Sequence, residues 1–113
     1  MLPKKFRLTI VEFYKNPQHA KRFLLPFFII MLKASQIGNP RFCVSVPKFL
    51  DKRSSHRHET KRIIIEIIRK KLTKIGSSID VVIKLRRIID KKDKIVVDRE
   101  IDRIFGEKGL LKL

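Results

Sequence analysis

Few side chains in this sequence could do covalent or metal chemistry, and their spacing argues against most of it. His56 and His58 stand two residues apart, Asp80, Asp90 and Asp93 are the acids nearest to a cluster, and Cys43 is the single cysteine. A metal site needs three or more His, Cys or carboxylate ligands converging, and neither histidine has a Cys or acidic partner at ligand spacing. The three aspartates invite a nuclease reading in which carboxylates hold a divalent ion, but strand and turn placement separates them. Cys43 has no helix start or placed histidine to lower its pKa, so it reads as an inert small residue. One cysteine also precludes an intramolecular disulfide and suits a reducing cytoplasm.

The residues that do point to a chemistry are cations. "DKRSSHRHETKR", residues 51–62, holds five Lys or Arg and two His in twelve positions and runs straight into "IIIEII". Over the whole chain 28 Lys and Arg face 11 Asp and Glu, a formal net charge of +17 in 113 residues. Such an excess repels itself unless a polyanion neutralises it, and nucleic acid is the leading partner ahead of a membrane surface. Cations are also disfavoured at the positive end of a helix, and Glu59 is the one acid near this helix start. Something anionic offsets that arrangement. Backbone N–H groups at the helix start would converge with Arg57, Lys61 and Arg62 on an RNA or DNA backbone.

The elements that must position these groups follow from periodicity. Residues 58–75 predict the strongest helix, with Ile64, Ile68, Leu72 and Ile75 on the buried face, widened by Ile65 and Ile67; Arg62, Glu66, Arg69 and Thr73 form an outward stripe. "RFCVSVP", residues 41–47, predicts a strand with Phe42, Val44 and Val46 inward and Arg41, Cys43 and Ser45 on a polar face open to contact. A further strand is expected over residues 79–87, and a last helix uses Val97, Ile101, Ile104 and Phe105, stopping at Gly106. An N-terminal helix over residues 7–16 is expected to pack Leu8 and Val11 with Phe13 or Tyr14, and to stop at Asn16-Pro17.

"FLLPFFIIML", residues 23–32, reads as a core strand with Pro26 at its start or on an edge; ten residues fall short of the roughly 20 of a membrane helix. No secretion signal is read at the N-terminus. Hydrophobic residues at 43%, with eight Phe, give a chain of this length enough apolar surface for one folded domain over residues 1–113. The expected fold is α+β, a two-layer sandwich of about four strands and about three helices. The Phe residues are assigned to the core by default. Phe13 or Tyr14, beside a basic strand face, are the best placed to stack on unpaired bases.

The order of "MLPKKFRL", "EFYK", "RFCVSVPK", "RHETKRIIIEIIR" and "DVVI" resembles the protein subunit of bacterial ribonuclease P over roughly residues 1–86, and the remaining length and last helix are compatible. The family's Arg-Asn-Arg segment is similar to Arg57, His58 and Glu59 followed by Lys61 and Arg62. Here His58 stands for the Asn and Glu59 for the second Arg. Cys43 replaces a Gly, Pro47 a Ser, Ile65 a basic residue, and one residue is inserted between Lys48 and Arg57. The first-helix aromatic pair keeps Phe13, while its second position falls near Asn16-Pro17.

The resemblance implies a left-handed βαβ crossover, against the usual preference. It implies a protein without catalytic residues, in an endoribonuclease whose RNA subunit holds the Mg2+ ions that hydrolyse the phosphodiester. Such a protein binds the ribonuclease P RNA and the single-stranded 5′ leader of precursor tRNA, so that the leader is removed and the mature tRNA 5′ end is made. Arg57, His58, Lys61, Arg62 and Arg69 are then expected to face the RNA subunit, Lys48, Lys52 and Arg53 to lie near phosphates, and Phe13 and Ser45 to line the leader cleft. No obligate protein partner and no membrane are expected, and the location is the cytoplasm. The rival reading is a small ribosomal or other structural RNA-binding protein with no role in tRNA cleavage.

Overall fold

In the computed structural model, which describes residues 2–15, 20–76 and 78–107, a four-stranded mixed sheet carries helices on both faces. The elements are α1 (Ile10–Lys15), β1 (Lys21–Leu24), β2 (Phe28–Ala34), β3 (Arg41–Ser45), α2 (Ser54–Lys71), β4 (Ile79–Leu85) and α3 (Lys94–Glu107). The sheet order is β1-β2-β4-β3, with β3 and β4 parallel and the other pairs antiparallel. A parallel pair needs a long crossover, and α2 supplies it.

The run read as one strand over residues 23–32 is instead a hairpin. Leu24 pairs with Ile29, and the Leu25 N–H donates to the Phe28 carbonyl at 2.9 Å, so Pro26 and Phe27 form the tip. Proline cannot donate to a ladder but its fixed φ suits a turn, which is why it divides the run. Between β2 and β3 the chain reverses at Gly38, whose φ of +97° lies in the left-handed region that glycine tolerates.

One face of the sheet is the main core. Phe28, Ile30 and Leu32 of β2, Phe42 and Val44 of β3, and Val81, Ile83 and Leu85 of β4 point the same way and meet Ile63, Ile64, Ile67 and Ile68 of α2 and Val97, Ile101, Ile104 and Phe105 of α3. Thr60, fully buried in α2, bridges to the chain beyond β4: its hydroxyl donates to the Ile89 carbonyl and accepts from the Ile89 N–H, each at 3.1 Å. Lys71 is buried at the α2–α3 contact between Asp98 and Asp102. Burial alone would lower its pKa, but the two carboxylates outweigh that and raise it.

All three helices have boundaries that differ from the periodicity reading. α2 starts at Ser54 rather than near 58, so most of the basic segment is its first two turns and not a loop; it ends at Lys71, followed by a 3-10 turn over Leu72–Lys74. The apolar pattern could not show that start, because the first nine helical residues carry no large apolar side chain. α3 continues through Gly106. α1 is only six residues long; Phe13 is buried, Val11 is exposed, and Leu8 packs from just before the helix. The proposed stop at Asn16-Pro17 lies outside the described residues. A capping box starts α1: Thr9 Oγ1 accepts from the Glu12 N–H at 3.1 Å, and Glu12 Oε1 accepts from the Thr9 N–H at 3.2 Å.

Candidate nucleic-acid interface

β3 is an edge strand, and the basic residues gather beside it. Residues leading into α1 run along its free edge, where Arg7 bridges Phe42 and the Leu8 N–H donates to the Phe42 carbonyl at 2.9 Å. α2 packs over the same strand. Between the two opens a groove of about 870 Å3 with Leu2, Leu8, Phe42, Val44 and Ile65 as its apolar lining. Arg7, His58, Lys61, Arg62 and Arg69 surround it with cationic or titratable groups, and Glu66 is its one carboxylate.

Helical spacing explains the convergence, since residues 58, 61, 62, 65, 66 and 69 recur every three or four positions and share one side of α2. Four of the five residues expected to meet an RNA subunit, His58, Lys61, Arg62 and Arg69, are therefore brought together. Arg57 is not: it is half-buried away from the groove, and its Nε is buried with no hydrogen-bond partner among the described residues. Arg7 was missed by the periodicity argument. Only the bridge to Phe42, a contact between segments 35 residues apart in sequence, brings it to the groove.

Electrostatics keep the groove positive. Glu66 is held by Lys94 at 3.1 Å and more loosely by Lys70 at 3.9 Å, and Lys94 chiefly lowers its pKa. Glu59, standing where a second Arg was expected, lies 3.9 Å from Arg62 and is absent from the groove lining. Burial raises the Cys43 pKa, with Lys61 opposing it, so the thiol stays protonated and is no nucleophile at neutral pH.

The start of α2 is set by Asp51. Its Oδ1 accepts the Arg53 N–H at 2.9 Å and the Arg53 Nε–H at 3.1 Å, and Oδ2 lies 2.9 Å from His56 Nδ1. The Arg53 contacts, with His56 adding to them, hold the Asp51 carboxyl well below the usual carboxylate range. The first turn of α2 itself has no acid and no side-chain cap. Lys48, Lys52 and Arg53, the expected phosphate contacts, are exposed along the connection from β3 to α2.

The second face of the sheet lies under α1. Cross-strand register places Lys33, Asp80 and Arg41 in one row, Arg22, Met31, Val82 and Cys43 in the next, and Leu24, Ile29, Lys84 and Ser45 in a third. Arg41 grips Asp80 through two hydrogen bonds of 3.0 Å and reaches Glu12 of α1 at 3.0 Å, while Lys33 donates to the Phe13 carbonyl at 2.6 Å. Asp80 is thus committed to a structural pair. Phe13 packs on Leu8 and Val82 with 2% exposure, so its ring is not open to stacking. Tyr14, 63% exposed and with its hydroxyl 3.8 Å from Met31 Sδ, is the open aromatic of this face. Ser45 is half-buried beside Lys84 in the row beyond α1's contacts.

Among the described residues no three His, Cys, Asp or Glu side chains gather at one point. None of the described helices is long and apolar enough to cross a membrane.

The family model for ribonuclease P matches residues 2–109. This chain belongs to the ribonuclease P protein family. It is the protein subunit of ribonuclease P, an RNA-binding component of tRNA processing; the ribosomal reading is not favoured. Its fold is similar to the ribonuclease P protein of Staphylococcus aureus, in a mutant defective in mRNA degradation, with TM-score 0.77 and 15% identity over 96% of this chain and 92% of that one. The ribonuclease P protein of Thermotoga maritima is similar with TM-score 0.70 and 19% identity, covering 89% of this chain and 96% of that one. No curated protein sequence matches the chain significantly.

Proposed function

We propose that this subunit assembles with ribonuclease P RNA through the α2 groove and holds the 5′ leader of precursor tRNA against the sheet face under α1. The observation that carries the first part is the convergence of Arg7, His58, Lys61, Arg62 and Arg69 on one groove beside a single, already paired carboxylate. Each phosphate neutralised there releases condensed counterions, which drives association and relieves repulsion between two RNAs. Arg57, half-buried near the start of α2 and outside the groove, adds a cation beside it, and Lys48, Lys52 and Arg53 extend the cationic track ahead of α2. On the sheet face, Ser45, Lys84 and Tyr14 offer a hydroxyl, a cation and an aromatic ring to a single strand, and Phe13 supports them from beneath by fixing α1.

In this reading the chain works as one domain, without an obligate protein partner, in the cytoplasm. Hydrolysis is assigned to Mg2+ held by the RNA subunit and substrate, and the protein's part is to bind and position the RNA. The test is reconstitution with ribonuclease P RNA at low magnesium, using precursor tRNA with and without a leader. The expected result is tighter binding and faster cleavage of the leader-bearing substrate; a protein that neither binds the RNA nor improves cleavage would refute the proposal.

A further inference from the structure

Phe49 is the most exposed large hydrophobic side chain among the described residues, at 82%. It was assigned to the core from composition, and the structure overturns that. A single exposed apolar residue needs no explanation in itself, but the setting of this one is unusual. Its place in sequence is Lys48-Phe49-Leu50-Asp51-Lys52-Arg53, so cations flank an aromatic on both sides. The backbone beneath it is held in shape: Phe49 is the middle residue of a 3-10 turn closed by the Leu50 N–H donating to the Pro47 carbonyl at 3.1 Å, and Asp51 then locks the next turn through Arg53 and His56. Leu50, its neighbour, is half-buried against the core and anchors the turn. An aromatic ring is thereby presented to solvent from a fixed support, so little ordering entropy remains to be lost on contact.

We propose that Phe49 is a stacking platform for an unpaired base of ribonuclease P RNA, flanked by Lys48, Lys52 and Arg53 on the adjoining phosphates. The alternation of ring and cation matches the two surfaces of a single strand, base faces and phosphates, and no acidic or purely apolar partner would satisfy both. The RNA subunit is the source, because the turn leads through Asp51 and Lys52 to Arg53, the residue just before α2, and α2 carries His58 and the groove cations Lys61, Arg62 and Arg69. This inference rests on the assembly reading above and adds a base contact to its phosphate contacts.

The experiment measures the affinity of the full chain for ribonuclease P RNA without substrate, as a function of salt, for the wild type and for F49A, F49L and F49Y. Stacking predicts that F49A and F49L bind roughly five- to a hundredfold more weakly, with an unchanged slope of log affinity against log salt, and that F49Y stays near the wild type. An exposed side chain is not needed for folding, so the melting temperatures of all four should coincide, and comparing F49Y with F49L separates the aromatic ring from bulk. Equal binding by F49A, or full affinity in F49L, would overturn the assignment of Phe49 alone. A defect confined to leader-bearing precursor tRNA would overturn its assignment to the RNA subunit. Failure of the wild type to bind ribonuclease P RNA would instead sink the assembly reading itself.

Discussion

The groove can be tested quantitatively through salt. Lys61, Arg62 and Arg69 lie on its rim, exposed, and in positions where truncation to Ala removes charge without opening the core. If each meets one phosphate, the triple variant loses about 2.7 from the slope of log affinity against log salt on a duplex, or about 2.1 on a single strand. Raising salt fourfold, for example from about 50 to about 200 mM, then weakens the wild type more than the variant by a factor of roughly 20 to 40. Filter binding or fluorescence anisotropy with ribonuclease P RNA across that range reads both slopes, and a thermal melt confirms that the variant is folded. Ala is a strong helix former, so α2 should not suffer. A triple variant with the wild-type slope would show that these three side chains face solvent in the complex, and the assignment of the groove would fall.

Three further outcomes follow from the pairs already described. Replacing Glu66 by Gln removes the one carboxylate among the described groove residues; RNA should bind about two- to fivefold tighter at low salt, with the gain disappearing at high salt, while the loss of its exposed pair with Lys94 should leave the denaturant midpoint nearly unchanged. Asp80→Ala leaves Arg41, with 15% side-chain exposure, facing a missing partner and should cost about 2–4 kcal/mol, whereas the paired change Arg41→Met with Asp80→Leu should recover much of that; the rate of precursor-tRNA cleavage per folded, reconstituted complex should not drop. Asp51 has a depressed folded-state pKa, so its contribution is complete above the ordinary carboxylate value of about 3.9, begins to decline below it, and is lost as pH falls through the lower folded-state value. The wild type should therefore show fraying at the start of α2 by hydrogen exchange below about pH 4, and Asp51→Asn should show it already at pH 7.

Much of this fold is written in alternations that sequence alone reveals. Phe42 and Val44 against Arg41, Cys43 and Ser45 gave β3 both its faces, and Val97, Ile101, Ile104 and Phe105 gave α3 its packed side. What escaped was whatever depended on one contact between distant segments. An apolar run cannot announce that it folds back on itself, and Pro26, expected at a strand's start or on an edge, is in the hairpin tip. The first turns of α2 are polar because most of their side chains face solvent, so hydrophobic periodicity starts late and moved the helix boundary by a turn. For the site, His58 and three cations share one side of α2 by arithmetic, but Arg7 joins them through tertiary pairing and Arg57 leaves them through burial. Phe13 is buried and Phe49 exposed for the same reason: composition says a small protein buries most of its Phe residues, and only the fold says which one it leaves out.

The spending of acids accounts for how a protein with so large a net charge can fold and still present a positive surface. Asp98 and Asp102 neutralise the buried Lys71, Asp80 and Glu12 hold Arg41 between sheet and α1, Asp51 fixes the start of α2, and Glu66 ties α2 to Lys94 of α3. Each of these carboxylates thus joins two elements or shapes a turn, where removing its charge costs stability. Among the described residues none of them forms an ion pair with Lys61 or Arg69, and Glu66, which feels the Arg69 charge, lies against Lys94. Repulsion among such exposed cations is weakened by salt in the free protein and removed when phosphates replace the salt. Stability and RNA affinity consequently depend on largely separate sets of charges: acid titration should unfold the chain through the first set, while added salt should release RNA through the second and leave the fold in place.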